Sequence, residues 1–89
     1  MPRLIFTPQL RRFTEVPEVE SGATDLRAAL EDAFVGNPRL RGYILDDQGH
    51  LRPNVVIFVD GQRIHSTRLL DDALQPHSQI HILQALSGG

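Results

Sequence analysis

The most reactive arrangement in this 89-residue chain is its last four residues, Leu86-Ser87-Gly88-Gly89, and the chemistry belongs to a main-chain carboxylate rather than a side chain. An α-carboxyl group has an ordinary pKa of roughly 3.5 and is an ionised oxygen nucleophile at neutral pH. Such a group attacks the α-phosphate of ATP to give an acyl-adenylate when another protein's active site brings the two together. Glycine has no Cβ, so a Gly88-Gly89 end passes a narrow channel and takes whatever backbone conformation that channel imposes. Extended at roughly 3.3 Å per residue, Ala85 to Gly89 spans roughly 16 Å, enough to insert the carboxylate while a folded body stays outside. A sulfur donor attacking the adenylated carbonyl would leave a thiocarboxylate. Two consecutive glycines at a given place arise by chance in roughly 0.5% of chains at ordinary glycine usage of about 7%.

Other side-chain constellations are weaker. His50, His65, His77 and His81 show no i, i+4 spacing and no cysteine joins them, so a metal site is not expected and surface histidines are the better reading. Asp46-Asp47 and Asp71-Asp72 lie in turn-like segments, where aspartate belongs on conformational grounds. Ser66 and Ser87 have no nucleophile elbow around them. Arg11-Arg12 with Arg3 reads as a solvated loop or a small basic spot. No catalytic constellation appears, so the chain is not expected to be an enzyme.

Composition narrows the classes further. A chain of this length makes one small domain that buries only about 60–65% of its unfolded surface. Hydrophobic residues are 40% and charged residues 22%, as in ordinary folded domains. The net charge is −2 with no basic stripe, which argues against nucleic acid. With no cysteine, any sulfur handled must sit elsewhere than on a side chain. All nine basic residues are arginine, so the side chains offer no amine for an isopeptide. No apolar run reaches the ~20 residues of a membrane helix and no signal peptide is visible, so a cytoplasmic location is expected.

The elements that must hold the tail can be read from spacing. Arg3 to Thr7 is a short strand ended by Pro8, and Phe13 to Glu20 a second one hairpinned to it. A helix starts at Thr24 as N-cap with Asp25 in its first turn. Its apolar face is Leu26, Ala29, Leu30, Ala33 and Phe34, and Gly36 and Pro38 end it. Tyr43-Ile44-Leu45 is a short apolar run before the Asp46–Gly49 turn. Asn54 to Asp60 is a strong strand, Asp60-Gly61 a tight turn, and Gln62 to His65 a short returning strand. Leu69, Leu70, Ala73 and Leu74 suggest a single helical turn, and Gln79 to Ala85 is the final strand. This order predicts an α+β fold: a β-grasp with a mixed sheet of four to five strands on one main helix. Residues 1–85 would form the domain and 86–89 a flexible tail.

Alternation along the strands predicts an outward face. With Leu4, Phe6, Val55, Ile57, Val59, Ile80 and Ile82 turned to the helix, Ile5, Thr7, Val56, Phe58, His81 and Leu83 face away. Ile5, Phe58 and Leu83 then form an apolar patch of the kind that marks a partner site, unless these residues are scattered or covered from within.

The C-terminal half, from Asn54-Val-Val-Ile-Phe-Val-Asp-Gly-Gln through Leu70–Leu74 and Ile80-His-Ile-Leu to Gly88-Gly89, resembles the MoaD/ThiS-type ubiquitin-like sulfur carriers. These are typified by the small subunit of molybdopterin synthase and the thiamin sulfur carrier. The resemblance implies adenylation by a ubiquitin-activating-type enzyme that uses ATP, the carrier having no cofactor of its own. It implies a thiocarboxylate on Gly89, with Gly88 and Ser87 in the tail. A sulfur-acceptor enzyme would be the second partner, docking as the activating enzyme does on the patch of Ile5, Phe58 and Leu83. The free carrier is expected to be a monomer with no nucleic-acid or membrane partner. Gln84 and Ala85 stand where many relatives have proline, and Asn37 to Pro53 is long for the thiamin type. The length fits the molybdopterin type or the carriers that feed cysteine synthesis. Two other functions use the same sequence features: a protein modifier conjugated through Gly89, and a β-grasp interaction module without tail chemistry. A chain ending at Gly89 is expected to need no protease trimming.

Overall fold

The computed structural model describes residues 1–6 and 18–84. Within them, five strands and two helices follow in the order β1 (Arg3–Phe6), β2 (Glu18–Glu20), α1 (Leu26–Gly36), α2 (Pro38–Ile44), β3 (Val55–Val59), β4 (Gln62–Arg63) and β5 (Gln79–Gln84). The strands make one sheet in the order β2-β1-β5-β3-β4. β5 lies in the centre, parallel to β1 (Leu4 beside Ile80, Phe6 beside Ile82) and antiparallel to β3 (Ile57 beside Ile82). This is the predicted β-grasp. The predicted second strand is present as Glu18–Glu20, its earlier part lying outside the described residues, as do Thr7 and Ala85.

The core is one cluster between the sheet and the helices. Leu4, Phe6, Ile57, Ile80 and Ile82 are fully buried, as are Leu26, Ala29 and Ile44, and Leu30 and Leu40 nearly so. Each large side chain of this set contributes about 1.5–3 kcal/mol by leaving water. Val59 is only partly buried, being the last residue of β3.

The N-cap of α1 is Asp25 and not Thr24. Asp25 is extended (φ −141°, ψ 162°) and its carboxylate accepts the N–H of Ala28 at 2.9 Å. Thr24 is held back in an extended contact, its carbonyl accepting the N–H of Leu74. The next two free amides of the helix donate to a neighbouring loop: Leu26 N–H to the carbonyl of Asp72 (3.0 Å) and Arg27 N–H to that of Leu70 (2.8 Å). The amide groups that every helix start leaves without intrahelical partners are thus satisfied. The Arg27 guanidinium strengthens the clasp by donating to the carbonyls of Gly49, Arg68 and Leu69.

This clasp replaces the predicted helical turn at Leu69–Leu74. Leu70 and Leu74 are buried as the spacing implied, but Leu70 takes a left-handed backbone (φ 52°), which no α-helical turn allows. A second difference is α2. Gly36 is the last residue of α1 rather than the residue after it, and Asn37 caps the end with its N–H on the carbonyl of Phe34. Pro38 does not end helical structure; it occupies the first turn of a new helix, where its missing N–H and fixed φ suit the start. Tyr43 and Ile44 are therefore helical, and Leu40 and Ile44, four apart, are the face of α2 in the core. Arg41 ties the helices by pairing with Glu31 and lying over the Phe34 ring, 5.7 Å from its centroid.

The β3–β4 hairpin turns on Asp60-Gly61 as predicted, with φ 52° and 83°, the two positive values of a turn whose twist matches that of the strands. The returning strand is shorter than expected, Gln62–Arg63 only. The Asp60 carboxylate accepts the buried Ser78 hydroxyl and the Gln79 N–H, both at 2.8 Å, and so fixes the start of β5 against the turn.

Candidate functional site

The tail residues Ser87, Gly88 and Gly89 lie outside the described residues. What the structure describes is the strand that leads into them. β5 is central, flanked on both sides by hydrogen-bonded neighbours, and Leu83 and Gln84 still pair with Val56 and Val55. The chain therefore enters the tail from the most constrained strand in the sheet. β1 ends at the same end of the sheet, since it runs parallel to β5.

Register places the predicted patch. Ile5 of β1 sits beside His81 of β5, and His81 beside Phe58 of β3. The same row continues outward to Glu18 of β2 and Arg63 of β4. The five strands thus contribute one cross-sheet row, Glu18–Ile5–His81–Phe58–Arg63, on the face turned away from the helices. Leu83 lies two residues along β5 from His81, in the next row towards the tail, beside Val56. Ile5, Phe58 and Leu83 therefore share one face, Ile5 and Phe58 abreast with His81 between them. All five of Ile5, Val56, Phe58, His81 and Leu83 are half-buried, while their inward neighbours Phe6, Ile57, Ile80 and Ile82 are fully buried.

Among the described residues, the Arg and Glu side chains of this face lie at its rim. Arg3 pairs with Glu20 at 3.3 Å and Glu18 at 3.8 Å on the β1–β2 side, with Arg63 on the β4 side. An apolar strip with charges at its margins has the make-up of a protein docking surface: a dry centre and a polar rim. The sequence reading left out three members: His81 and Val56, placed outward by alternation but not counted in the patch, and Arg63, whose place required the β3–β4 register.

The weaker candidates resolve as turns and surface groups. Among the described residues no three histidine, aspartate or glutamate side chains converge as a metal site. His65 pairs with Asp72, at 3.0 Å from Nδ1 to Oδ2. Asp46 closes its turn by accepting the N–H groups of Gln48 (2.8 Å) and His50 (3.0 Å). Its carboxyl is held below the usual carboxylate value, first by the His50 amide, against an opposing desolvation, with help from the Gln48 amide and the charges of His50 and Arg52. No helix among the described residues is long and apolar enough to cross a membrane.

Comparison with known proteins adds the deciding observation. The model of the ThiS family matches residues 4–89, from the first strand through Gly88-Gly89. The chain belongs to the ThiS family. The resemblance read from the C-terminal half thus extends over nearly the whole chain, and the family makes this a ubiquitin-like sulfur carrier or modifier rather than an enzyme. The solved structures similar to this ThiS-family chain have the same fold. A chain of the Amycolatopsis orientalis BexX/CysO complex has TM-score 0.86 and 15% identity, with 100% of each chain covered. CysO of Mycobacterium tuberculosis has TM-score 0.83 and 20% identity over 97% of this chain and 100% of that one. SAMP1 of Haloferax volcanii has TM-score 0.82 and 18% identity over 99% and 98%. No curated protein sequence matches the chain significantly.

Proposed function

We propose that this chain carries sulfur as a thiocarboxylate on Gly89, which is then the terminal residue of the working protein. The Gly89 carboxylate attacks the α-phosphate of ATP in a ubiquitin-activating-type enzyme, giving an acyl-adenylate and releasing pyrophosphate. A sulfur donor then attacks the carbonyl and AMP leaves. ATP belongs to the activating enzyme. The single observation that carries this reading is the ThiS-family match running through Gly88-Gly89.

The activating enzyme must reach a carboxylate tethered to the end of β5 by roughly 16 Å of extended chain. It therefore rests on the body of the carrier near that end, and the apolar strip Ile5, Phe58 and Leu83 is the surface we assign to it. The sulfur-acceptor enzyme would use the same face in turn. We favour an acceptor of the molybdopterin or cysteine type over thiamin. The segment from Asn37 to Pro53, long for the thiamin type, accommodates α2 and the Asp46 turn.

A modifier role has one observation in its favour: a similar structure, 22% identical with TM-score 0.81, is named small archaeal modifier protein 1 of Methanosarcina acetivorans. Intact-protein mass spectrometry separates the two on material from the native host with its activating enzyme. An oxygen-to-sulfur exchange located in the C-terminal peptide is the expected result, and deletion of Gly88-Gly89 should abolish it. Gly89 found only in isopeptides would establish the modifier instead. A free carboxylate after incubation with ATP, sulfide donor and adenylating enzyme would overturn both.

A further inference from the structure

We infer that arginine at position 52 is a safeguard of the loaded carrier: it places a positive charge within reach of the Gly89 acyl group and offers that group no amine to acylate. The inference rests on the reading of Gly89 as an acyl carrier. Reach follows from the strand register. The carbonyl of Arg52 accepts the N–H of Val55 at 3.0 Å, and Val55 stands opposite Gln84, the last residue of β5. A turn of that kind spans under about 7 Å between its outer Cα atoms, and an antiparallel pair about 5 Å. The Cα of Arg52 therefore lies within about 12 Å of that of Gln84. The segment from Ala85 to Gly89 extends over roughly 16 Å. The position is fixed as well as near. The Arg52 N–H donates to the carbonyl of Ile44 (3.0 Å) and its Nε to that of Gly42 (2.7 Å), both in α2. A cation is useful there, since its charge joins the His50 amide, the largest cause, in holding the Asp46 carboxyl below the usual value. Lysine would carry the same charge. Arginine carries it on a guanidinium, which keeps its proton at cellular pH and is no nucleophile.

In the activated carrier the Gly89 carbonyl carbon bears a leaving group, AMP or a thiol. An amine that attacks it forms a C–N bond, expels the leaving group and gives up a proton. The chain is then closed on itself and ends its use as a carrier. Tethering makes such an attack far more effective than that of a free amine in solution. The 89 residues contain neither lysine nor cysteine, so the acyl group meets no side-chain amine or thiol of its own chain. The experiment loads the full chain by chemistry, as a thioester on Gly89 released from an intein fusion by a small thiol, and so does not depend on the activating enzyme. The wild type, Arg52→Lys and Pro53→Lys are followed at pH 8 in amine-free buffer by intact-protein mass spectrometry and peptide mapping. Pro53→Lys puts an amine at the exposed neighbouring position without touching Arg52. Circular dichroism melts confirm that each variant is folded. The wild type is expected only to hydrolyse to the free acid. The lysine variants should lose their thiol roughly tenfold faster, at a rate independent of protein concentration, and gain a bond from Gly89 to the new amine. Folded lysine variants that hydrolyse like the wild type, without a cross-link, would overturn the inference, as would a wild type that acylates itself. An absent oxygen-to-sulfur exchange in host material would instead remove the carrier reading on which the inference rests, whatever the thioester does.

Discussion

Ile82 and Leu83 are consecutive residues of one strand, yet they sit in different environments. Ile82 is fully buried beneath the helices, abreast of Phe6 and Ile57. Leu83 is half-buried on the other face beside Val56. The inner row is saturated: aliphatic and aromatic carbons meet the apolar faces of α1 and α2. The outer row has the same apolar character at its centre, but no helix among the described residues lies over it. The difference separates two tasks within the same strands. The inner face determines that the chain folds, and the outer face leaves apolar area whose burial is available to a partner.

Substitution at these two neighbours gives the largest effect. Ile82→Ala should cost about 2–5 kcal/mol of stability in urea unfolding, the usual range for emptying a fully buried aliphatic site. Leu83→Ala should cost about 1 kcal/mol or less. Equal losses would mean that the two faces are equally well packed and that the contrast is false. A smaller effect tests what keeps the inner face covered. Asp25→Ala should lower stability by about 1 kcal/mol through loss of the N-cap, and Thr24→Ala by clearly less. The reverse order would return the cap to Thr24. The smallest effect belongs to a turn on neither face. The Asp46 carboxyl has its pKa lowered in the folded chain, so its charge stabilises the fold above the ordinary value of 3.8. That contribution is lost as pH falls through the depressed folded value. Asp46→Asn should therefore narrow its stability gap to the wild type as acid denaturation is followed below about pH 4. A gap independent of pH would assign the turn's contribution to hydrogen bonding alone.

The parts legible in the sequence were those governed by local periodicity. Alternation in Val55–Val59 and Gln79–Gln84 assigns each side chain to a face because strand geometry allows only two. The spacing from Leu26 to Phe34 likewise marks one side of α1. Pro38 misled because proline both ends helices and begins them, and only the packing of Leu40 and Ile44 decides which. Leu70 and Leu74 misled because burial at helical spacing does not require helical backbone: here a loop buries both while lending its carbonyls to α1. The centrality of His81 could not be read at all. Face follows from parity, but abreast position depends on the pairing of strands far apart in the chain. The expectation of chemistry at Gly89 came from the composition of the tail and the family resemblance, neither of which depends on periodicity.

Leu4 pairs with Ile80 across almost the whole length of the chain. Closing a loop of that span is a slow step, because the entropy of the intervening segment is lost before the contact stabilises anything. A nascent polypeptide still lacking Gln79–Gln84 can form its local hairpin and helices, but its sheet has a gap in the middle. β5, at the centre of the sheet, is thus the keystone that joins the two halves. A product ended before Gln79 is left with two separate strand pairs, β2-β1 and β3-β4, and no sheet to join them.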